Sequence, residues 1–223
     1  MMAAENSTED RIIDAALDLA ALNGWRGLGL REIAGAAGIG LADFYDAFPG
    51  KDAILAGYAR RLDCATLLDV EAGEGADVEG ESARDRLFDA VMRRLDLMEP
   101  HKAAIAAILH DVTRDPLWAV CHAPGFLRSI DWLLEVTDLS ASHLRGALRR
   151  TGLAAIYLDV LRVWLRDDSP DLARTMAALD RRLRQADGAM RFIARGPCRS
   201  YRRPAETGSD EPGSAEAEAL AAN

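Results

Sequence analysis

Within residues 30–51 the chain is broken at Gly38, at Gly40 and at the Pro49-Gly50 pair, leaving only short segments between. Each segment carries apolar residues at helical spacing. Ile33, Ala34 and Ala37 provide small packing surfaces on the first, and Phe44, Tyr45 and Phe48 are expected to anchor the second. The pattern predicts a helix over about Leu30–Ala37 and another over about Gly40–Phe48. Gly38 permits a tight turn between them, and Ile39 plugs the angle.

The flanks supply longer helices. Ser7-x-x-Asp10 has the form of a capping box, followed by Ile13, Ala16, Leu17 and Ala20 at i, i+3, i+4 and i+7, with Gly24 as a stop. An exit helix runs from Lys51 to about Leu68. A second block opens at Ser82-x-x-Asp85, with Leu87, Phe88, Val91, Met92 and Leu95 on one stripe. Pro100 and Pro116 suit first turns of new helices, and Pro124 is expected to interrupt the segment that follows. Ser140 to about Asp167 reads as one long helix, with Leu144, Leu148, Ile156, Tyr157, Val160 and Trp164 inward. Ser169-Pro170-Asp171 reads as the start of the next, running to about Asp187 and at most Ile193. No strand pattern stands out, so the predicted fold class is all-α.

Charge refines the division. The 223 residues carry 27 basic and 36 acidic side chains, net −9, which disfavours a generic basic nucleic-acid binder. Residues 1–68 hold 10 acids and 6 bases, and 69–82 hold 6 acids and no base. The predicted domains are therefore a module at 1–68, an acidic linker at 69–81, a helical block at 82–195 and a disordered tail at 196–223. Three scattered cysteines, no signal-peptide pattern and no long apolar run predict a reducing, cytoplasmic setting.

The frame at 30–48, LREIAGAAGIGLADFYDAF, is that of a helix-turn-helix. With Pro49-Gly50-Lys51, Ile54-Leu55 and the preceding helix, it resembles the TetR family of one-component regulators over about the first quarter of the chain. The resemblance implies a homodimer whose paired second helices enter successive major grooves of a palindromic operator. On the matching positions, Tyr45 and Lys51 would contact phosphates, as would Arg31 near the start of the first short helix. Gly40, Leu41, Asp43 and Asp46 would face base edges. Here the chain departs from the family, which offers hydroxyls, amides or basic groups there. Aspartate accepts a hydrogen bond from cytosine N4, but two carboxylates on one short helix oppose phosphate binding.

A second segment, Arg149–Leu183, resembles the C-terminal region of ubiquinone-biosynthesis accessory proteins, which share the fold and bind lipids and isoprenoid quinones instead of DNA. Arg149, Leu153, Ile156-Tyr157, Trp164, Asp168-Ser169-Pro170-Asp171, Thr175, Leu179 and Arg182 carry that likeness. Capping and core packing account for the same residues equally well.

No catalytic constellation, cofactor motif or metal-ligand spacing stands out, so neither an enzyme nor a bound cofactor is expected. Phe88, Met92, Trp118, Phe126, Trp132, Tyr157 and Trp164 are the candidate lining of an apolar cavity for a small molecule or lipid. Arg128 or His122 would give one polar contact at its mouth. Arg191, Arg195, Arg199, Arg202 and Arg203, with no acid among them, form a candidate contact with an anionic membrane surface. Two functions remain: a ligand-responsive DNA-binding transcriptional regulator, and a lipid- or quinone-binding accessory protein that has lost DNA binding.

Overall fold

In the computed structural model the described residues are 7–72, 82–137 and 143–195, and all regular structure among them is helical. Helix α1 (Thr8–Asn23) starts where expected: the Ser7 hydroxyl oxygen accepts the Asp10 amide at 3.1 Å. It stops at Gly24, whose φ of +78° lies in the left-handed region that favours glycine. The short helices are α2 (Leu30–Ala36) and α3 (Leu41–Ala47), joined through Gly38 at φ +66°. Then follow α4 (Lys51–Ala72), α5 (Ala83–Met98), a single 3₁₀ turn (Glu99–His101), α6 (Lys102–Arg114), α7 (Pro116–Glu135), α8 (His143–Trp164) and α9 (Ala173–Arg195).

The architecture is all-α and TetR-like, and its core is continuous. Helix α1 packs on α2, α3 and α4, and also on α6 of the second block. Helix α4 likewise leaves the first three helices to lie against α5 and α7. At Gly57 it passes so close to Phe48 that a Cβ would sit 2.8 Å from the ring. The helix continues to Ala72, so the acidic stretch expected as a linker from residue 69 begins inside it. The remainder of that stretch, 73–81, and the predicted disordered tail at 196–223 lie outside the described residues.

Three helix expectations need correction. Pro124 does not interrupt α7, which runs through it. The carbonyl four residues before the proline belongs to Val120, a residue 69% exposed, so losing that hydrogen bond does not bury an unpaired group in the core. Leu148 does not point inward and is 46% exposed, whereas Leu153, Tyr157, Val160, Leu161 and Trp164 hold the buried stripe of α8.

Ser169-Pro170-Asp171 does not open α9. Those residues form a turn, Leu172 takes a φ of +50°, and the helix begins at Ala173. Its first turn is capped instead from Asp167, whose Oδ2 accepts the Thr175 amide at 2.9 Å and the Thr175 hydroxyl at 2.8 Å. The other carboxylate oxygen accepts the Ser169 hydroxyl at 2.5 Å. The Ser169 hydrogen bond, together with those from Thr175, holds the Asp167 carboxyl well below the usual carboxylate range despite its burial. Such a cap, reaching eight residues along the chain, follows no short sequence pattern.

Candidate functional site

The first four helices present one exposed face. Phe44 and Phe48 are buried against α1 and α4, which turns the next positions of α3 outward. Tyr45 is 71% exposed; Leu41, Asp43 and Asp46 are exposed beside it, as are Gly40 at the N-cap and Arg31 on α2. All of these residues are exposed and two of them are carboxylates; Tyr45 is therefore not an anchor of α3, unlike Phe44 and Phe48.

Lys51 differs from this set. Its ammonium donates to the backbone carbonyls of Trp25 and Arg26 at 3.0 Å each and of Leu28 at 3.2 Å. An ammonium has three N–H groups, so all are occupied by the α1–α2 loop, and the half-buried side chain also sits 5.5 Å from the Trp25 ring centroid. Burial pulls the amine below the usual lysine range. Instead of reaching outward for phosphate, as expected from sequence, Lys51 ties the loop to α4. Arg11 does the corresponding work at the turn, donating to the carbonyls of Ala37 at 2.6 Å and Gly38 at 3.2 Å.

The second feature is a cavity of about 410 Å³ between α4, α5, α6, α7 and α8. Of the residues expected to line it, Trp118, Phe126 and Tyr157 do so, and His122 and Arg128 are also in its wall. The other four are not. Trp164 is fully buried in the core, and Trp132 is 49% exposed on the outer side of α7. Phe88 faces a shallow groove shared with Met176 and Asp180 of α9, and Met92 packs against the edge of the core. One residue along a helix is about 100° around it, so Phe88 and Met92 turn away from the face that Leu87, Val91 and Leu95 bury.

Sequence reasoning missed the most consequential member of the wall. Arg94 is 5% exposed, with its guanidinium 2.5 Å from Asp63. Its Nε donates to the Tyr157 hydroxyl at 3.2 Å and a terminal nitrogen to Ser129 Oγ at 2.8 Å. The signal was available: Arg94 lies three residues after Val91 and seven after Leu87, in phase with the apolar stripe. A charge on a buried stripe requires a partner.

A polar bridge connects the cavity to the first helices. Asp52, in the first turn of α4, accepts the Trp118 indole N–H at 3.1 Å. It also lies 3.4 Å from His122 Nε2, and the His122 ring stacks on Trp118 with centroids 3.9 Å apart. Nearby, the Arg26 amide donates to Asp111 at 2.8 Å, and the Arg26 side chain pairs with Asp115 at 3.2 Å. The Lys51-clamped loop is thereby held to both α6 and α7.

Among the described residues no group of three or more His, Cys, Asp or Glu is placed to hold a metal ion, and no helix is long and apolar enough to cross a membrane. Arg191 and Arg195 fall on the last turns of α9, but their side chains, like Arg199, Arg202 and Arg203, lie outside the described residues.

These features define a helix-turn-helix module joined by hydrogen bonds to a helical block that encloses an apolar cavity. The sequence model of bacterial regulatory proteins of the tetR family matches residues 12–58, and that of COQ9 matches residues 148–189. No curated protein matches the chain. Solved structures share the fold over about four-fifths of this chain. A TetR transcriptional regulator from Nitrosomonas europaea superposes with a TM-score of 0.64 at 23% identity, covering 81% of this chain and 98% of its own. One from a Rhodococcus species gives 0.58 at 16% identity, covering 82% and 97%. A tetR-family regulator from a Shewanella species gives 0.55 at 17%, covering 81% and 97%.

Proposed function

We propose that this chain is a ligand-responsive transcriptional regulator of the TetR type, acting as a homodimer on a palindromic operator. The observation that carries this reading is the bridge from Trp118 and His122 to Asp52, because it couples the cavity wall to the helix that leaves the DNA-reading module. An apolar effector that packs on Trp118 changes the balance between two dimer states that differ in the spacing of their α3 helices. Within each module, Gly40, Leu41, Asp43 and Asp46 face base edges, Tyr45 and Arg31 meet phosphates, and Lys51 fixes the loop that aligns them. One aspartate accepting from cytosine N4 is compatible with direct readout.

The test is a salt titration of the purified protein against the DNA upstream of its own gene. The expected result is tighter binding to that DNA than to random sequence at the same salt. Equal binding to both, seen only at very low salt, would sink the reading.

A second reading is favoured by the COQ9 match at 148–189 and by the acidic face of α3. Here the same cavity carries a lipid or isoprenoid quinone, and the module serves only as a folding unit. Solvent extraction and mass spectrometry separate the two: co-purified isoprenoid quinone together with absent operator binding supports the accessory role. Replacing Asp43 and Asp46 by Asn adds a further arm. In a DNA-binding protein it raises affinity for random DNA several-fold; in a module without a DNA role it changes nothing measurable.

A further inference from the structure

Besides His122 and Arg128, the cavity wall holds four polar side chains from four helices: Tyr58 from α4, Arg94 from α5, Ser129 from α7 and Tyr157 from α8. The hydrogen bonds within this cluster are directional. Ser129 donates its hydroxyl proton to Asp63 at 2.5 Å, and Tyr157 donates its own to the Met98 sulfur at 3.3 Å. Both hydroxyl oxygens already accept from Arg94. Three of the five guanidinium N–H groups are used in this way and toward Asp63, and the other two have no partner among the described residues.

The fourth member, Tyr58, packs its ring against His101 and Arg61, but its hydroxyl has no hydrogen-bond partner among the described residues. The residue is 7% exposed, and that oxygen is buried. Burial holds its phenol well above the usual tyrosine range, so the group stays an O–H donor, with Arg61, Tyr157, Arg94 and Asp14 all near enough to act on it electrostatically. Leaving a buried hydroxyl unsatisfied costs about 1–3 kcal/mol, a penalty that a bound acceptor removes. The Tyr58 hydroxyl is therefore an unused donor beside the Arg94–Asp63 pair.

The charge of that pair limits what kind of acceptor fits. Asp63 already compensates Arg94, so the cluster is formally neutral. A carboxylate brought beside Tyr58 and Arg94 leaves water for an apolar wall and meets a cation that Asp63 already neutralises, which costs several kcal/mol. A carbonyl oxygen offers two lone pairs and no charge to desolvate. At the other end, Leu55, Ile108, Leu109 and Trp118 provide only hydrocarbon and an aromatic face.

We propose that the cavity takes an uncharged amphiphile, an apolar body bearing a single carbonyl-type acceptor oxygen, with that oxygen at Tyr58 and Arg94 and the body extending toward Trp118. The inference rests on the reading of this cavity as a ligand site and specifies the chemistry of what enters.

Three probes that share a hydrocarbon chain test it: 2-undecanone, undecane and undecanoate, each titrated calorimetrically into the full-length protein. The ketone is expected to bind about tenfold more tightly than either of the others, one hydrogen bond to a buried donor corresponding to roughly that factor. Tyr58→Phe is expected to remove about five- to tenfold of the ketone's affinity and leave that of undecane unchanged. The same substitution should leave the thermal stability of the ligand-free protein equal or higher, since it deletes an unsatisfied group. A tyrosine needed only for packing would not separate the two readouts in this way. Undecanoate binding most tightly, or Tyr58→Phe leaving the ketone preference intact, overturns the proposal and spares the ligand-site reading. Binding by none of the three overturns both.

Discussion

Asp52 and Trp118 are 66 residues apart in sequence and joined by a 3.1 Å hydrogen bond between the first turns of α4 and α7. The indole is also cavity wall, so a ligand that moves it acts on the start of α4 directly. Trp118→Phe keeps the aromatic face and the stacking on His122 but removes the N–H. With 2-undecanone as probe, its binding should change by no more than about twofold. The factor by which the probe alters operator affinity should shrink about fivefold, a fraction of a coupling free energy of 1–3 kcal/mol. Electrophoretic mobility or anisotropy measurements with and without the probe give both numbers.

Lys51 and Arg31 are expected to separate in a salt titration. Arg31 is exposed on α2, and Arg31→Ala should reduce the slope of log affinity against log salt by about one, the signature of a lost phosphate contact. Lys51→Met should leave that slope unchanged. It should instead lower stability to chemical denaturation by about 1–2 kcal/mol, because three loop carbonyls lose a charged donor.

Gly57 and Gly35 should respond oppositely to alanine. Both lie in helices, where alanine is favoured over glycine by up to about 1 kcal/mol. Nothing lies within 4 Å of a Cβ at Gly35, so Gly35→Ala should stabilise the free protein. At Gly57 the new methyl meets the buried Phe48 ring at 2.8 Å, and the resulting strain of about 1–3 kcal/mol outweighs the gain. Thermal unfolding of the two variants reads the sign directly.

Asp167 gives a pH dependence of known sign. Its carboxyl is held below the range it has in the unfolded chain, so the unfolded state takes up a proton first as pH falls. The stabilisation is therefore complete above the ordinary carboxylate range and is lost as pH drops through that range toward the lower folded value. Asp167→Asn should melt below the wild type at pH 7 by a margin that stays constant to about pH 5 and narrows below about pH 4. A margin that widens in acid would contradict the cap at the start of α9.

In the cavity wall, helical periodicity identifies some residues and misplaces others. Trp118, Phe126 and Tyr157 were found because large apolar residues at helical spacing must be covered by something. Trp164 and Trp132 satisfied the same rule, yet one is core and the other half in solvent. Periodicity gives a helix its apolar side without naming the neighbour that covers it. Arg94 was overlooked for the reverse reason: it interrupts a stripe, and its partners Asp63, Ser129 and Tyr157 come from three other helices.

By itself, then, the sequence determined the all-α class, the caps at Ser7 and Ser82, and the turns at Gly24 and Gly38. Those features depend on hydrogen bonds and side-chain contacts within a turn or two of the chain, where residue order and spatial order coincide. Only the tertiary structure decided that Lys51 clamps a loop, that Asp167 caps α9, and that Arg94 of the cavity wall is paired with Asp63. Each of these joins groups that are distant in sequence or shielded from water by other helices. Their charge state and hydrogen-bonding capacity were set by which helices came together.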